Sequence, residues 1–396
     1  MDRVFLKDKE EKRIRLGHPW IFDNEIGQFQ GPCADGTSVE VMSKSGLFLG
    51  RGIINRKSRI TVRLFTRNRE ELIDRAFFER RIANACALRA AVFSPEDSYR
   101  FLFAEADLVP GLVCDRFVST DGDVFLSVQF LTLGVDTFRD DIISVLREQT
   151  GAKGIFERSD VHVRGLEGIP ERKGWIGPES DPQIVIRENG IELSVDLENG
   201  QKTGYFLDQK DNRARVVPLV KGKRVLDAFT HTGSFALNAW KGGAASVLAV
   251  DISDTAVETV NTNIALNGAA GTVRAQTADV FDLLKAADRD GERYGCIILD
   301  PPAFTKSAKM ADKAYGGYKE INLRAMKILE SGGYLVSCSC SHFFSAEQFY
   351  HMIQNAAMDV GKTIQFLGKY GPAADHPVLA GYPESDYLKC AVMRVW

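Results

Sequence analysis

The stretch Arg224-Val225-Leu226-Asp227-Ala228-Phe229-Thr230-His231-Thr232-Gly233-Ser234-Phe235 decides the architecture. Its first five residues read as a buried strand. Ser234–Lys241 then reads as a helix, stopped by Gly242-Gly243. The pattern repeats downstream. Strands are expected at Ser246–Asp251, Thr272–Thr277, Cys296–Asp300 and Tyr334–Ser339, with two more at Thr363–Leu367 and Leu388–Val395. Helices are expected at Asp254–Leu266, capped by Ser253 and stopped by Asn267-Gly268, at Tyr318–Leu329, stopped by Gly332-Gly333, and at Ser345–Met358. Strands that alternate with helices predict a mainly parallel sheet, an α/β Rossmann-like domain over residues 184–396.

In such sheets ligands bind beyond the carboxyl ends of the strands, so the residues at those ends carry the function. Four of the ends are acidic: Asp227, Asp251, Asp279 and Asp300. The first loop lacks the GxGxxG run that lets a pyrophosphate approach the backbone, which argues against a dinucleotide. S-adenosylmethionine has no phosphate and carries a cationic sulfonium, and a loop with Asp227, Phe229, Thr232 and Gly233 suits it. Asp251 is expected to accept from the ribose hydroxyls and Asp279 from the adenine amine. Asp279 is equally able to cap a helix starting at Val280.

Asp300-Pro301-Pro302 resembles the motif of nucleic-acid and amino-group methyltransferases, in which the aspartate holds the target base. Amine methylators place an aromatic directly after the second proline. Here that position is Ala303, and Phe304 comes one residue late. Ser339-Cys340-Ser341 suits a different chemistry. A thiolate that adds to carbon-6 of a pyrimidine makes carbon-5 nucleophilic, and Cys340, just past a strand end, is the candidate for that thiolate. Cys296 and Cys338, inside strands, are expected to be core residues. The catalytic pair is therefore Cys340 and Asp300. The loop Thr305–Gly317 is a candidate lid over the base. No metal site is indicated, because the seven cysteines and six histidines show no ligand spacing.

Upstream, residues 1–70 read as short strands punctuated by Gly36, Gly46, Gly50 and Gly52, a small β-barrel pattern. A helix is expected over residues 70–91, with Leu72, Ala76, Phe77, Arg80, Ala83 and Ala87 on its buried stripe. Residues 71–183 form an α+β middle domain, with strands at Val124–Phe130 and Gly154–Glu157 and a helix at Thr137–Gln149. Net charge is −3, yet residues 1–90 hold eighteen Lys plus Arg against twelve Asp plus Glu. A basic module on an acidic body suits a polyanion, and RNA is the expected partner. Its expected contacts are Lys7, Lys9, Lys12, Arg13, Arg15, Arg51, Arg56, Lys57 and Arg59, within a cluster that runs to Arg63. No apolar run reaches the length of a membrane span, and no secretory signal opens the chain, so a cytoplasmic protein is expected.

At these residues the chain resembles the bacterial and archaeal ribosomal RNA cytosine-5 methyltransferases that carry an N-terminal PUA domain. Gly17-His18-Pro19-Trp20-Ile21-Phe22, Asp115-Arg116-Phe117, Arg158-Ser159-Asp160, Ser339-Cys340-Ser341 and Tyr382-Pro383-Glu384 carry the likeness. The most specific stretch is Gly200–Gln209 with Arg213. The resemblance implies that residues 1–70 are a PUA-like RNA-binding barrel. It implies a second cofactor wall of Phe206, Asp208 and Arg213, and large-subunit rRNA as substrate. Three positions depart from the family pattern: Lys210 for Arg, Ala303 for a second cysteine, and His342 for Gly. Methylation of an exocyclic nitrogen, a non-catalytic assembly role and the oligomeric state, a homodimer included, stay open.

Overall fold

The computed structural model describes residues 1–304 and 311–396. One sheet has seven strands: β1 (Arg224–Ala228), β2 (Ser246–Asp251), β3 (Val273–Thr277), β4 (Tyr294–Leu299), β5 (Leu329–Ser339), β6 (Ile364–Tyr370) and β7 (Lys389–Val395). Their order is β3-β2-β1-β4-β5-β7-β6. β1 to β5 run parallel, and β7 pairs antiparallel with both β5 and β6. β1 from Val225 on, β4 and the end of β5 are unbroken buried runs, as expected of central strands covered on both faces. The helices are α1 (Ser234–Lys241), α2 (Asp254–Leu266), α3 (Val280–Arg289), α4 (Ala311–Ile328) and α5 (Ala346–Asp359). α3, α4 and α5 bury Leu284, Tyr318, Ile321, Phe349 and Met352 in one core with Leu226, Ile297 and Leu335 of the strands.

The strand order reverses between β1 and β4, which pair through Ala228 and Leu299. The loop after β1 and the loop that begins at Asp300 therefore leave the sheet side by side, where ligands are expected.

Three readings need correction. The helix expected from Tyr318 starts at Ala311, and Leu329 belongs to β5. The second half of the expected lid, residues 311–317, is thus helical, while Thr305–Met310 lie outside the described residues. Within that helix a Cβ on Gly317 would stand 3.2 Å from the Phe304 ring, so close packing accounts for the glycine. Third, the helix Arg75–Ala90 buries Phe77, Phe78, Ile82, Ala85 and Arg89, while Leu72, Ala76, Arg80, Ala83 and Ala87 are exposed. The buried arginine hid the phase: its guanidinium is neutralised by Asp107.

The remaining strands form a six-stranded sheet (Arg3–Leu6, Trp20–Phe22, Ile26–Gln30, Ser38–Met42, Phe48–Ile54, Ile60–Thr66) and a five-stranded sheet (Tyr99–Phe103, Leu112–Val118, Val124–Phe130, Gly154–Ser159, Arg172–Trp175). A two-stranded hairpin joins Gln183–Glu188 to Ile191–Asp196. By contact the chain divides into two units. One is Met1–Ile186 with Val195–Leu207 and Ala374–Ser385. The other is Arg187–Ser194, Asp208–Ala373 and Asp386–Trp396, and it holds the seven-stranded sheet.

Candidate active site

Asp227, fully buried at the end of β1, organises the first loop. Its Oδ2 accepts from the Thr230 hydroxyl at 2.5 Å and from the Ala236 amide at 2.9 Å, which ties the loop to the first turn of α1. Its Oδ1 is buried and finds no donor among the described residues. Burial pushes this carboxyl up to about 7, against the hydrogen bonds from Thr230 and Ala236, and the nearby charges of Asp300 and Asp251 push the same way.

The loop backbone is left-handed at Phe229, His231 and Gly233, with φ of 64°, 52° and 79°. Such strain in non-glycine residues persists only where the surroundings impose it. It aims the His231 amide at Asp251 Oδ2 at 3.0 Å, while the Ser253 amide holds Oδ1 at 3.1 Å. Asp251 is thereby fixed as an acceptor at the end of β2. Gly233 has a packing reason as well, since a Cβ there would stand 2.9 Å from Val260 of α2. Thr232 braces the loop: its Oγ1 shares a hydrogen bond with Ser234, and its carbonyl accepts from Asn263 at 2.8 Å. Asp279 caps α3, with Oδ1 accepting from Phe281 and Asp282. Its Oδ2 takes no part in the cap.

Asp300 is held by a residue the strand-end reasoning missed. Gln209 Nε2 donates to Asp300 Oδ1 at 2.9 Å, and Asn212 Nδ2 donates to Gln209 Oε1 at 2.7 Å. Both amides are buried, so the chain from Asn212 to Gln209 fixes which end of the glutamine meets the carboxylate. The neighbouring expectations change. Arg213 spends Nε and Nη2 on Glu188 at 2.6 and 2.8 Å in a buried, bidentate pair. That pair fixes the position of the guanidinium. Asp208 is 5 % exposed and accepts from the Tyr387 hydroxyl. Phe206 belongs to the other unit, half-buried, with the Lys202 ammonium 4.7 Å from its ring centre.

Cys340 lies one residue beyond β5. Five of the seven cysteines are buried, and only Cys86 and Cys340 are partly exposed. Cys338 faces Cys390 in register on β7, and its hydrogen bond to that thiol, with burial, raises its pKa well above the ordinary thiol value. Cys296 is pushed up to about 12 by burial. Tyr318 of α4 joins the two catalytic candidates: beyond the burial that raises it to about 12, its hydroxyl feels the charges of both Cys340 and Asp300. Lys389 also escaped the sequence reading. Its buried Nζ donates to the Ser341 carbonyl at 2.7 Å and to the Tyr387 carbonyl at 2.8 Å. Burial lowers its amine to about 8, and the Cys340 charge opposes that shift. Phe304 packs 4.6 Å from Tyr318 and 6.0 Å from Phe281, so its ring is part of the wall behind the site.

The buried Asp227 carboxyl, with the charges of Asp300 and Asp251 near enough to act on it, makes this strand end a poor place for a pyrophosphate. It is a good place for a sulfonium and an ammonium. A match to the family of S-adenosylmethionine-dependent methyltransferases covers residues 170–366, and a match to the PUA-like domain family covers residues 4–67. Ribosomal RNA large subunit methyltransferase I of Shewanella amazonensis is 42% identical over 398 residues, covering 100% of this chain and 99% of that protein. The chain belongs to that methyltransferase family. It is an S-adenosylmethionine-dependent methyltransferase with an N-terminal PUA-like domain. Two solved structures share the fold over 100% of both chains at 23% identity. One is a SAM-dependent methyltransferase from Streptococcus mutans, with a TM-score of 0.83, and the other is a methyltransferase complexed with SAH, with a TM-score of 0.84.

Within the PUA-like domain the basic residues fall into two classes. Lys7, Lys9, Lys12, Arg15, Arg56, Lys57 and Arg59 are exposed. Arg51 is 4% exposed and donates to the carbonyls of Glu71 and Arg69 at 2.6 and 2.8 Å. Arg63 pairs with Glu167 at 2.9 Å, and Arg13 with Glu25 at 2.8 Å. Arg51 and Arg63, both buried, therefore work as structural cations, and the expectation that they contact RNA is corrected, while Arg13 keeps about a third of its side chain exposed. Among the described residues no helix is long and apolar enough to cross a membrane, and no group of three or more ligating side chains could hold a metal ion.

Proposed function

We propose that the chain methylates carbon-5 of a cytosine in large-subunit ribosomal RNA, with Cys340 as the nucleophile. The observation that carries this reading is a partly exposed thiol just past β5 that shares the surroundings of Tyr318 with Asp300. S-adenosylmethionine, when bound, supplies the electrophilic methyl group. Asp251 would hold its ribose, Asp279 its adenine amine, and the Asp227 loop with Phe229, Thr232 and Gly233 its amino-acid end, with Asp208 and Arg213 as a further wall.

The Cys340 thiolate forms a bond to carbon-6, and the carbon-5–carbon-6 π electrons become available at carbon-5. Asp300 hydrogen-bonds the base edge near nitrogen-3, where charge builds up. Once carbon-5 carries the methyl, it loses its proton to a base. The electron pair re-forms the double bond, and the thiolate leaves carbon-6. Ala303 removes the cysteine that two-cysteine enzymes use for this last stage. The target must be unstacked, because attack comes from a ring face.

RNA containing 5-fluorocytosine should yield a gel-stable adduct with the wild-type protein, since fluorine cannot leave as a proton. Cys340→Ala should form no adduct and lose at least ~10³-fold in methyl transfer, while cofactor affinity stays the same. No adduct in the wild type, together with an active Cys340→Ala variant, would refute the mechanism. Nucleoside mass spectrometry would then look for a methylated exocyclic nitrogen.

We propose further that residues 1–70, 71–183 and 184–396 act as RNA-binding, middle and catalytic parts, and that the exposed cations Lys7, Lys9, Lys12, Arg15, Arg56, Lys57 and Arg59 meet phosphates. Replacing Arg56, Lys57 and Arg59 by alanine should flatten the salt dependence of RNA binding by about three phosphate contacts. Arg51→Ala should instead lower the melting temperature. An unchanged salt slope in the triple variant would move the RNA contact elsewhere.

A further inference from the structure

A buried lysine ordinarily has a carboxylate partner. Among the described residues Lys389 has no ion pair, and its two placed donors go to neutral carbonyls, those of Ser341 and Tyr387. One of these carbonyls belongs to the residue after Cys340. Register explains the placement: β7 runs antiparallel to β5, and Lys389 stands opposite Ser339 at the strand end from which Cys340 emerges. We propose that Lys389 is a positioning residue for the thiol: it holds the Ser339-Cys340-Ser341 turn through the Ser341 carbonyl, and its ammonium is the counter-charge that favours the Cys340 thiolate.

This inference rests on the reading of Cys340 as nucleophile, and deepens it. Charging a thiol beside a fixed ammonium lowers its pKa, and the same pairing keeps the buried amine charged. Other described groups act on this pair. Asp386 acts on Lys389 from its own segment. Tyr387 hydrogen-bonds Asp208 and lies 5.4 Å from the His342 ring. Tyr318 feels the charges of both Cys340 and Asp300. Among the described residues the Lys389 ammonium, on β7, is a cation whose charge interacts with that of Cys340. Burial brings the Lys389 amine down to about 8, so its support for the thiolate is present at neutral pH and fades as pH rises through that value. No proton or electron moves in this role beyond the ionisation of the thiol to solvent.

The test is the pH profile of Cys340 alkylation by iodoacetamide, read by peptide mass spectrometry so that Cys86 is counted separately. In the wild-type protein Cys340 should react with an apparent pKa at least one unit below that of an ordinary thiol. Lys389→Met removes charge and donor; Lys389→Gln removes the charge but keeps a donor for the carbonyls. Both should move the profile up and cut Cys340 alkylation at pH 7 at least tenfold. They should lower kcat with little change in KM for RNA, and S-adenosylhomocysteine affinity by calorimetry should report an intact fold. A purely structural lysine would leave the profile of Lys389→Gln like the wild type, and that outcome overturns the proposal. If neither variant folds, the wild-type profile decides: a Cys340 that titrates as an ordinary thiol overturns it as well. Failure of the nucleophile itself reads differently, as an active Cys340→Ala enzyme whatever the alkylation profile.

Discussion

The two ends of the catalytic sheet are assembled in opposite ways. The acidic end, after β1 and β2, is built within one βαβ unit. Asp227 is bonded by Thr230 and Ala236, and Asp251 by His231 and Ser253. Every partner lies within about one strand-and-helix length, so the sequence pattern already carries the geometry. The thiol end, after β4 and β5, depends on distant chain. Asp300 is oriented by Gln209, ninety-one positions upstream, and the Cys340 turn is pinned by Lys389, forty-eight positions beyond Ser341. Contiguity makes a site legible, whereas cross-strand register does not.

The largest effect expected at the acidic end comes from removing its two outermost acceptors. Asp251→Ala with Asp279→Ala should weaken S-adenosylhomocysteine binding ~100-fold or more by calorimetry, since each change loses a charge-assisted hydrogen bond worth about 1.5–3 kcal/mol. Asp279→Ala alone carries a second cost, about 1 kcal/mol of stability from the lost cap of α3. Undiminished binding in the double variant would break the assignment of this end to the cofactor.

At the thiol end, Gln209→Leu should remove the amide hydrogen bond that orients Asp300 and reduce kcat about tenfold, with cofactor affinity nearly intact. Asn212→Ala should give a smaller loss in the same direction, because it only frees the glutamine to flip. If Gln209→Leu instead abolishes cofactor binding, the two ends are coupled and the contrast between them is wrong.

The smallest effect is a pH dependence of stability. The Asp227 carboxyl is raised in the folded protein from its ordinary value of 3.8 to about 7, mainly by burial. A raised acid binds its proton more tightly in the folded state. Its contribution is therefore fully present below about pH 4 and is lost as pH rises towards 7. Thermal unfolding of the cofactor-free protein should show this slope between pH 4 and 7, and Asp227→Asn should flatten it. An identical pH profile in the variant would mean that the carboxyl is charged throughout.

Much of the fold was legible. β1, α1, β2 and α2 appear at the residues expected, because each is a short apolar run bounded by a cap or by glycines. The seven-strand order was not legible, since strand neighbours are chosen by packing of the helices on the sheet. The helix Arg75–Ala90 was misphased for a related reason: its buried Arg89 looks polar until Asp107 is seen to neutralise it. The same ambiguity separates Arg51 from Arg56, identical side chains five positions apart in a basic stretch. One is buried against carbonyl acceptors and the other is exposed beside Asp35.

By itself the sequence determined the alternating α/β pattern, the acids at four strand ends and a cysteine just past the fifth strand, because local propensity, caps and breakers act over a few residues. Tertiary structure alone decided which charges are spent. It paired Arg213 with Glu188, turned Gln209 onto Asp300, and set Lys389 beside the Cys340 turn. The physical reason is that burial and hydrogen bonding set the state of an ionisable group, and both depend on neighbours that are close in space and far apart in the chain.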